Sequence, residues 1–297
     1  MKIQKRPYDR ARDYERVNEL LWRTYEAPAY PNWLQARWEY MHWHPGLQTE
    51  FLHKIAVWEE DGEIVAVVNY EDAPEMAYFQ RIRGYDHLLP EMAAHAIEHL
   101  AGERDGMPVA RIWVNEFDQA LTEVVRGLGF SLHPSARECI SIMAIPDPFP
   151  AIPLKEDFRL AGLDEENDLT KLDRCLWRGF NHPGEPEPGG EADRALMQST
   201  PLYNKHLNVV AIAPNGAYAS FSGIWFDPYN LIAYVEPVAT DPDYRRMGLG
   251  KACVLECVRR AGELGAKTAY VESEQAFYHA MGFETIAYRP LWQKFLA

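Results

Sequence analysis

Two rhythms organise the apolar positions of this chain. Short apolar runs at Ile55–Glu59 and Ile64–Tyr70 flank the turn residues Glu60-Asp61-Gly62, which predicts a β-hairpin. The same arrangement returns at Val209–Ala213 and Ala217–Trp225, around Pro214-Asn215-Gly216. An apolar strand follows over Leu231–Val238. The rhythm then lengthens, with Leu249, Cys253, Cys257 and Leu264 marking one side of a helix and Ala252, Leu255 and Val258 widening its apolar face. Gly265 is placed to end that helix. Strands and helices alternate throughout, as expected for a sheet covered on both faces.

The pattern occurs twice. Leu21-Trp22-Arg23 resembles Leu176-Trp177-Arg178, the two hairpin turns correspond, and Gly127-Leu128-Gly129-Phe130 resembles Ala280-Met281-Gly282-Phe283. All three landmarks recur in order at an offset of about 154 residues, too long for a solenoid repeat, so they indicate two tandem domains. Between them, Pro146-Asp147-Pro148-Phe149-Pro150-Ala151-Ile152-Pro153 cannot form a helix or a central strand, because proline lacks the amide donor and biases its predecessor toward extended backbone. The expected organisation is a first domain over 1–147, a linker over 148–154 and a second domain over 155–297. The fold class is α/β (α+β), each domain a mixed, mainly antiparallel sheet flanked by helices and finished by a closing strand.

Composition narrows the function. Hydrophobic residues make up 47% of the 297 and charged residues 25%, as in an ordinary globular protein. The net charge of −14 argues against a phosphate-tracking surface and hence against nucleic acid, while favouring a cationic small molecule. No apolar run reaches the roughly 20 residues that span a bilayer, so no membrane partner is expected. The first ten residues carry charge without an apolar core, and the four cysteines form no disulfide pattern; both point to the cytoplasm.

The stretch that carries chemistry joins the strand at 231–238 to the helix. There Arg245-x-x-Gly248-x-Gly250 opens the helix, where free amides and the positive dipole end favour an anion. Arg245 and Arg246 add charge, and a pyrophosphate is a natural occupant; a plain glycine-containing turn with solvated arginines is the alternative. A dinucleotide fingerprint would need a third glycine where Cys253 stands, and no G-x-x-x-x-G-K-[ST] exists.

With the downstream Ala276-Phe277-Tyr278-His279-Ala280-Met281-Gly282-Phe283, this segment resembles the GNAT superfamily of acyl-CoA-dependent N-acyltransferases. The resemblance is strong over about 205–285 and weaker over 158–204. It implies acetyl-CoA as co-substrate, with its pyrophosphate on the amides of Arg246, Met247, Gly248, Leu249, Gly250 and Lys251 and with Arg245 at the motif's first position. It places the pantetheine arm along Val238 and Thr240, with an amide near Val238 or Ala239 polarising the thioester carbonyl. Pro237 fits a strand bulged at that point. Tyr278, four residues before Gly282, falls at the general-acid position. A phenol held near the departing thiolate can give it a proton.

The base has several candidates: Glu236 or Tyr234 on the motif strand, Glu272 at the end of the next one, or a water relay. Ser273 stands where the family usually has asparagine. The acceptor would be a small-molecule primary amine attacking in a ternary complex, with Trp177, Phe180, His182 and Tyr234 lining its pocket beside the acidic loop Glu185–Glu191. The first half lacks the glycine motif after Arg81-Ile82-Arg83-Gly84 and has Val125 at the position of Tyr278, so it reads as a diverged GNAT domain, non-catalytic or free of CoA. His95-Ala96-Ile97-Glu98-His99 matches an inverted zinc motif, but no third ligand presents itself and no metal is expected. His42 and His44 give less still. A non-catalytic acyl-CoA-binding or interaction protein on the same fold is the rival reading, and the assembly expected is a monomer or homodimer.

Overall fold

The structure is a computed structural model and describes residues 2–26 and 32–296. It divides into two compact units, one of residues 1–42, 46–140 and 286–297, the other of 43–45 and 141–285.

The first unit runs β1 (Gln4–Pro7), α1 (Arg10–Thr24), α2 (Gln35–Trp43), β2 (Ala56–Glu60), β3 (Glu63–Asn69), β4 (Tyr78–Arg81), α3 (Leu89–His99), β5 (Gly102–Arg104), β6 (Met107–Trp113), α4 (Gln119–Gly127) and the start of β7 (Ser131–Ala144). β1 to β4 form an antiparallel ladder in chain order. Just before β4, Ala77 meets Ile112 of β6 through a parallel bridge. The tight turn of the β2–β3 hairpin places Asp61 and Gly62 in the left-handed region, φ 50° and 86°, as the Asp-Gly dipeptide predicts. Asp9 caps α1 and Asp118 caps α4, each side chain accepting from the amide three residues on.

The second unit continues with β8 (Arg159–Gly162), α5 (Leu169–Gly179), α6 (Gly190–Gln198), β9 (Val209–Ile212), β10 (Tyr218–Asp227), β11 (Ile232–Thr240), α7 (Leu249–Glu263), β12 (Thr268–Val271) and α8 (Ala276–His279), and the last strand, β13 (Glu284–Phe295), belongs to the first unit from residue 286 on. Its strands lie in the order β8-β9-β10-β11-β12-β7, antiparallel except for β11 with β12. α7 presses Leu249, Cys253, Val254, Cys257 and Val258 onto Ala233, Val235, Ala269 and Val271 of the sheet, all buried. Each such leucine or valine removed from water contributes about 1.5–3 kcal/mol, enough to fix the helix against the strands.

The closing strands depart from a simple repeat. The end of β7, Ser141–Ala144, pairs with β12 in the second unit. The end of β13, Leu291–Phe295, pairs with β6 in the first. The first unit holds its borrowed strand with buried charge. Glu138 accepts from Arg289 at 2.5 Å and from Arg37 at 3.0 Å, with the hydroxyl of Tyr78 donating to it at 2.7 Å. Burial alone would raise the Glu138 carboxyl, but Arg37 and Arg289 more than offset it and hold it at about 2.

Candidate active site

β11 carries the site, and its irregularity begins with a bulge. In the β10–β11 ladder Ser222 faces Val238 and Ile224 faces Val235, so Glu236 and Pro237 together oppose Gly223. A side chain at Gly223 would sit 2.7 Å from the Glu236 carbonyl oxygen, which explains the glycine. That carbonyl instead accepts from the indole of Trp225 at 2.9 Å. The bulge shifts the alternation by one: Ala233 and Val235 pack in the α7 core before it, Val238 after it.

Beyond the bulge, the strand edge opens. β11 and β12 stay in parallel register only from Ile232–Thr268 to Tyr234–Tyr270. Asp241 N–H bonds to the Ala219 carbonyl of β10 at 3.0 Å. By antiparallel alternation, Val238 and Thr240 therefore turn their backbone groups away from β10, toward the side β12 has left.

At the end of this edge lies the mouth of α7. Arg246 and Gly248 both take left-handed backbone, φ 62° and 79°. The first backbone bond of the helix runs from Ala252 N–H to the Gly248 carbonyl, so the amides of Leu249, Gly250 and Lys251 stand at an open N-terminus. Thr240, Tyr244, Arg245, Arg246 and Gly248 to Lys251, with the ring of Phe277, wall a cavity of about 390 Å³. A Cβ on Gly250 would come 2.9 Å from the Thr240 hydroxyl and 3.4 Å from Phe277, so only glycine keeps this wall clear. Leu249 contributes backbone alone, because its side chain is buried in the core. Met247 is exposed.

The charged residues of the turn are anchored. Arg245 donates to the Gly179 carbonyl at 3.0 Å and to the Asn181 side chain at 2.7 Å. Asp241, fully buried, takes Arg178 at 2.7 Å and Arg174 at 3.2 Å. Lys251 donates to the Ala280 carbonyl at 3.1 Å, tying the start of α7 to the end of α8.

Tyr278 lies on α8, buried, its ring edge-on to Phe277 and Phe283 at 4.9 and 5.8 Å. Burial pushes its phenol well above the ordinary value, and the negative charge of Glu236 pushes it further. The structure thus brings Tyr278 and Glu236 within electrostatic reach of each other, and a phenol in that state keeps its proton at neutral pH. Ser273 serves the approach to α8: its hydroxyl accepts from Gln275 N–H at 3.3 Å and its carbonyl from Ser141 at 2.8 Å.

Trp177, Phe180 and His182 gather at the end of α5, with Trp177 and His182 stacked at 4.3 Å and the Trp177 indole donating to the Pro183 carbonyl. Gly179 brings this end of α5 against the strand, since a Cβ there would meet Ala239 at 2.7 Å. Tyr234 lies apart from them, buried in the sheet beside Tyr270. The acidic loop has internal partners: Glu185 is held by Arg174 and Arg178, and Glu191 by the Thr170 hydroxyl. In the first unit, one nitrogen of His95 donates to the Lys54 carbonyl, and burial lowers the ring to about 4. Asn181 and Trp225 are neighbours of the site that no motif in the sequence marks.

The family model described as the acetyltransferase (GNAT) family matches residues 169–283. No curated protein sequence matches the chain. Among solved structures, a GCN5-related N-acetyltransferase from Sphaerobacter thermophilus is similar over 99% of this chain and 95% of its own, with 14% identity and a TM-score of 0.63. A tandem GNAT protein from the clavulanic acid biosynthesis pathway is similar over 99% and 98%, with 14% identity and a TM-score of 0.61. A GNAT-family acetyltransferase from Colwellia psychrerythraea is similar over the whole of both chains, with 12% identity and a TM-score of 0.59.

Proposed function

From the membership of residues 169–283 in the GNAT family of acetyltransferases, we propose that this chain is an acetyl-CoA-dependent N-acetyltransferase acting on a primary amine of a small molecule by direct attack in a ternary complex. The observation that carries the reading is the open edge of β11 at Val238 and Thr240, running straight into the glycine-lined mouth of α7. One feature offers the backbone of Val238 and the Thr240 N–H to an amide-bearing arm, the Thr240 carbonyl accepting from Arg245 Nε at 3.3 Å, and the other offers amides and cations to a diphosphate. The tight wall at Gly250 fits a ligand that must approach backbone closely.

Bound acetyl-CoA would supply an acetyl group activated as a thioester. The remaining work falls to the chain. An alkylammonium has a reference pKa of about 10.4, so Glu236 serves to accept its proton and free the nitrogen lone pair. Tyr278, kept protonated by burial and by Glu236, donates to the departing sulfur as the carbon–sulfur bond breaks. Trp177, Phe180 and His182 supply an aromatic rim for the acceptor.

The test measures coenzyme binding and thiol release from acetyl-CoA against polyamines, aminoglycosides, amino acids and amino-sugar thiols. An amine-dependent release is expected, and Tyr278→Phe should lower turnover by about a hundredfold while leaving CoA affinity within about twofold. Tight CoA binding with no thiol release for any amine would instead favour a non-catalytic acyl-CoA-binding protein.

A further inference from the structure

α5 ends in a turn that carries Phe180 and His182, and its geometry follows from one residue. Asn181 takes left-handed backbone, φ 64°. Asparagine tolerates that region better than most side chains, so the helix can stop there in a Schellman turn. The Asn181 amide bonds to the Arg178 carbonyl at 3.0 Å and the His182 amide to the Trp177 carbonyl at 3.2 Å. The Phe180 amide bonds to the Leu176 carbonyl at 2.9 Å. The carbonyl of Gly179, the final helical residue, is left over.

Arg245 satisfies it. Its Nη2 donates to the Gly179 carbonyl at 3.0 Å and to Asn181 Oδ1 at 2.7 Å, and its Nε donates to the Thr240 carbonyl at 3.3 Å. One guanidinium thus joins the end of α5, the end of β11 and the turn before α7. The place suits a cation, because the C-terminal end of a helix carries partial negative charge. The planar fork matters too, since an ammonium has no rigid set of donors to spread over three acceptors. The next residue differs. Arg246 walls the same cavity, yet among the described residues it makes no hydrogen bond or ion pair.

We infer that Arg245 is a positioning residue of the acceptor side: it latches the turn bearing Phe180 and His182 onto the mouth of α7, and it leaves the charge of a coenzyme diphosphate to Arg246. The inference rests on the function proposed above, which gives Phe180 and His182 to the acceptor, and two measurements separate the fates of the two.

The first is calorimetric titration of the full chain with CoA, on variants shown folded by their melting curves. Arg245→Gln and Arg245→Lys should both bind within about twofold of wild type, while Arg246→Gln weakens binding about tenfold. A loss of affinity in Arg245→Gln that Arg245→Lys restores would make Arg245 a phosphate cation and overturn the inference. The second is hydrogen exchange at the Asn181 and His182 amides, which needs no coenzyme. Both should exchange about tenfold faster in Arg245→Gln and at the wild-type rate in Arg246→Gln. Unchanged exchange in Arg245→Gln would sink the latch by itself. For any amine of the panel above that releases thiol, Arg245→Gln should raise its KM about tenfold with kcat within about twofold, and a fall in kcat at constant KM would count against the inference. A wild-type chain that binds no CoA at all would remove the proposed function, and the exchange result would still decide whether Arg245 holds the turn.

Discussion

Trp225 shows how much of the site rests on single contacts. A bulge leaves backbone without a ladder partner, and the indole N–H fills that vacancy on the Glu236 carbonyl. The carboxylate that bears on Tyr278 belongs to the same residue, so its placement depends on a bond made from another strand. Trp225→Phe keeps the ring packed against Tyr203, whose centroid is 5.5 Å away, but removes the donor. On the proposed function, turnover should fall about tenfold with CoA affinity unchanged, since the mouth of α7 lies elsewhere. Equal turnover in the variant would show that the bond does not position Glu236. The left-handed turn at the mouth of α7 was legible in the sequence, because Arg245-x-x-Gly248-x-Gly250 stands between an apolar strand and an amphipathic helix. Trp225 was not, because nothing in an apolar strand announces which carbonyl an indole will reach.

Among the elements, α5 and β11 form the joint that aims the site. Arg178 on α5 reaches Asp241 at the end of β11, with Arg174 beside it, and Gly179 lets the backbones close up. Burial alone would raise the Asp241 carboxyl, but Arg178 and the Asp243 amide outweigh it and leave it below the usual aspartate value. A carboxyl depressed in the folded state stabilises the fold above its unfolded value of about 4 and loses that contribution as pH falls through the folded value. Asp241→Asn should therefore melt below wild type at neutral pH, with the gap closing as the solution is acidified below about pH 4. A gap that stays constant across that range would deny the ion pair its role. The hairpins and α7 could be placed from periodicity to within a residue or two, since burial on one face imposes the spacing. The Trp-Arg landmark was visible as a repeat, but its partner was not, for Arg23 in the first unit pairs with Glu63 at the surface instead.

At the level of the whole molecule, the exchanged closing strands carry the largest consequence for stability. β6 is completed by Leu291–Phe295, and β12 by Ser141–Ala144. Nothing in the residues Ser141–Ala144 or Leu291–Phe295 names a partner strand, so the sequence specifies a strand without specifying whose sheet it joins. The buried pair of Arg289 with Glu138 supplies the missing specificity. Removing one partner of such a pair typically costs about 3–5 kcal/mol. Fragments 1–150 and 151–297 expressed separately should fail to give cooperative melts, and together they should recover one. A monomeric fragment 1–150 that melts cooperatively would show that the borrowed strand is dispensable.

Because each half supplies a strand end to the other, the gene is not divisible at its midpoint. A recombination event at its midpoint would hand a descendant two incomplete folds. An engineer wishing to transplant one half would have to cut the gene in two places and carry a short piece from the other half along with it.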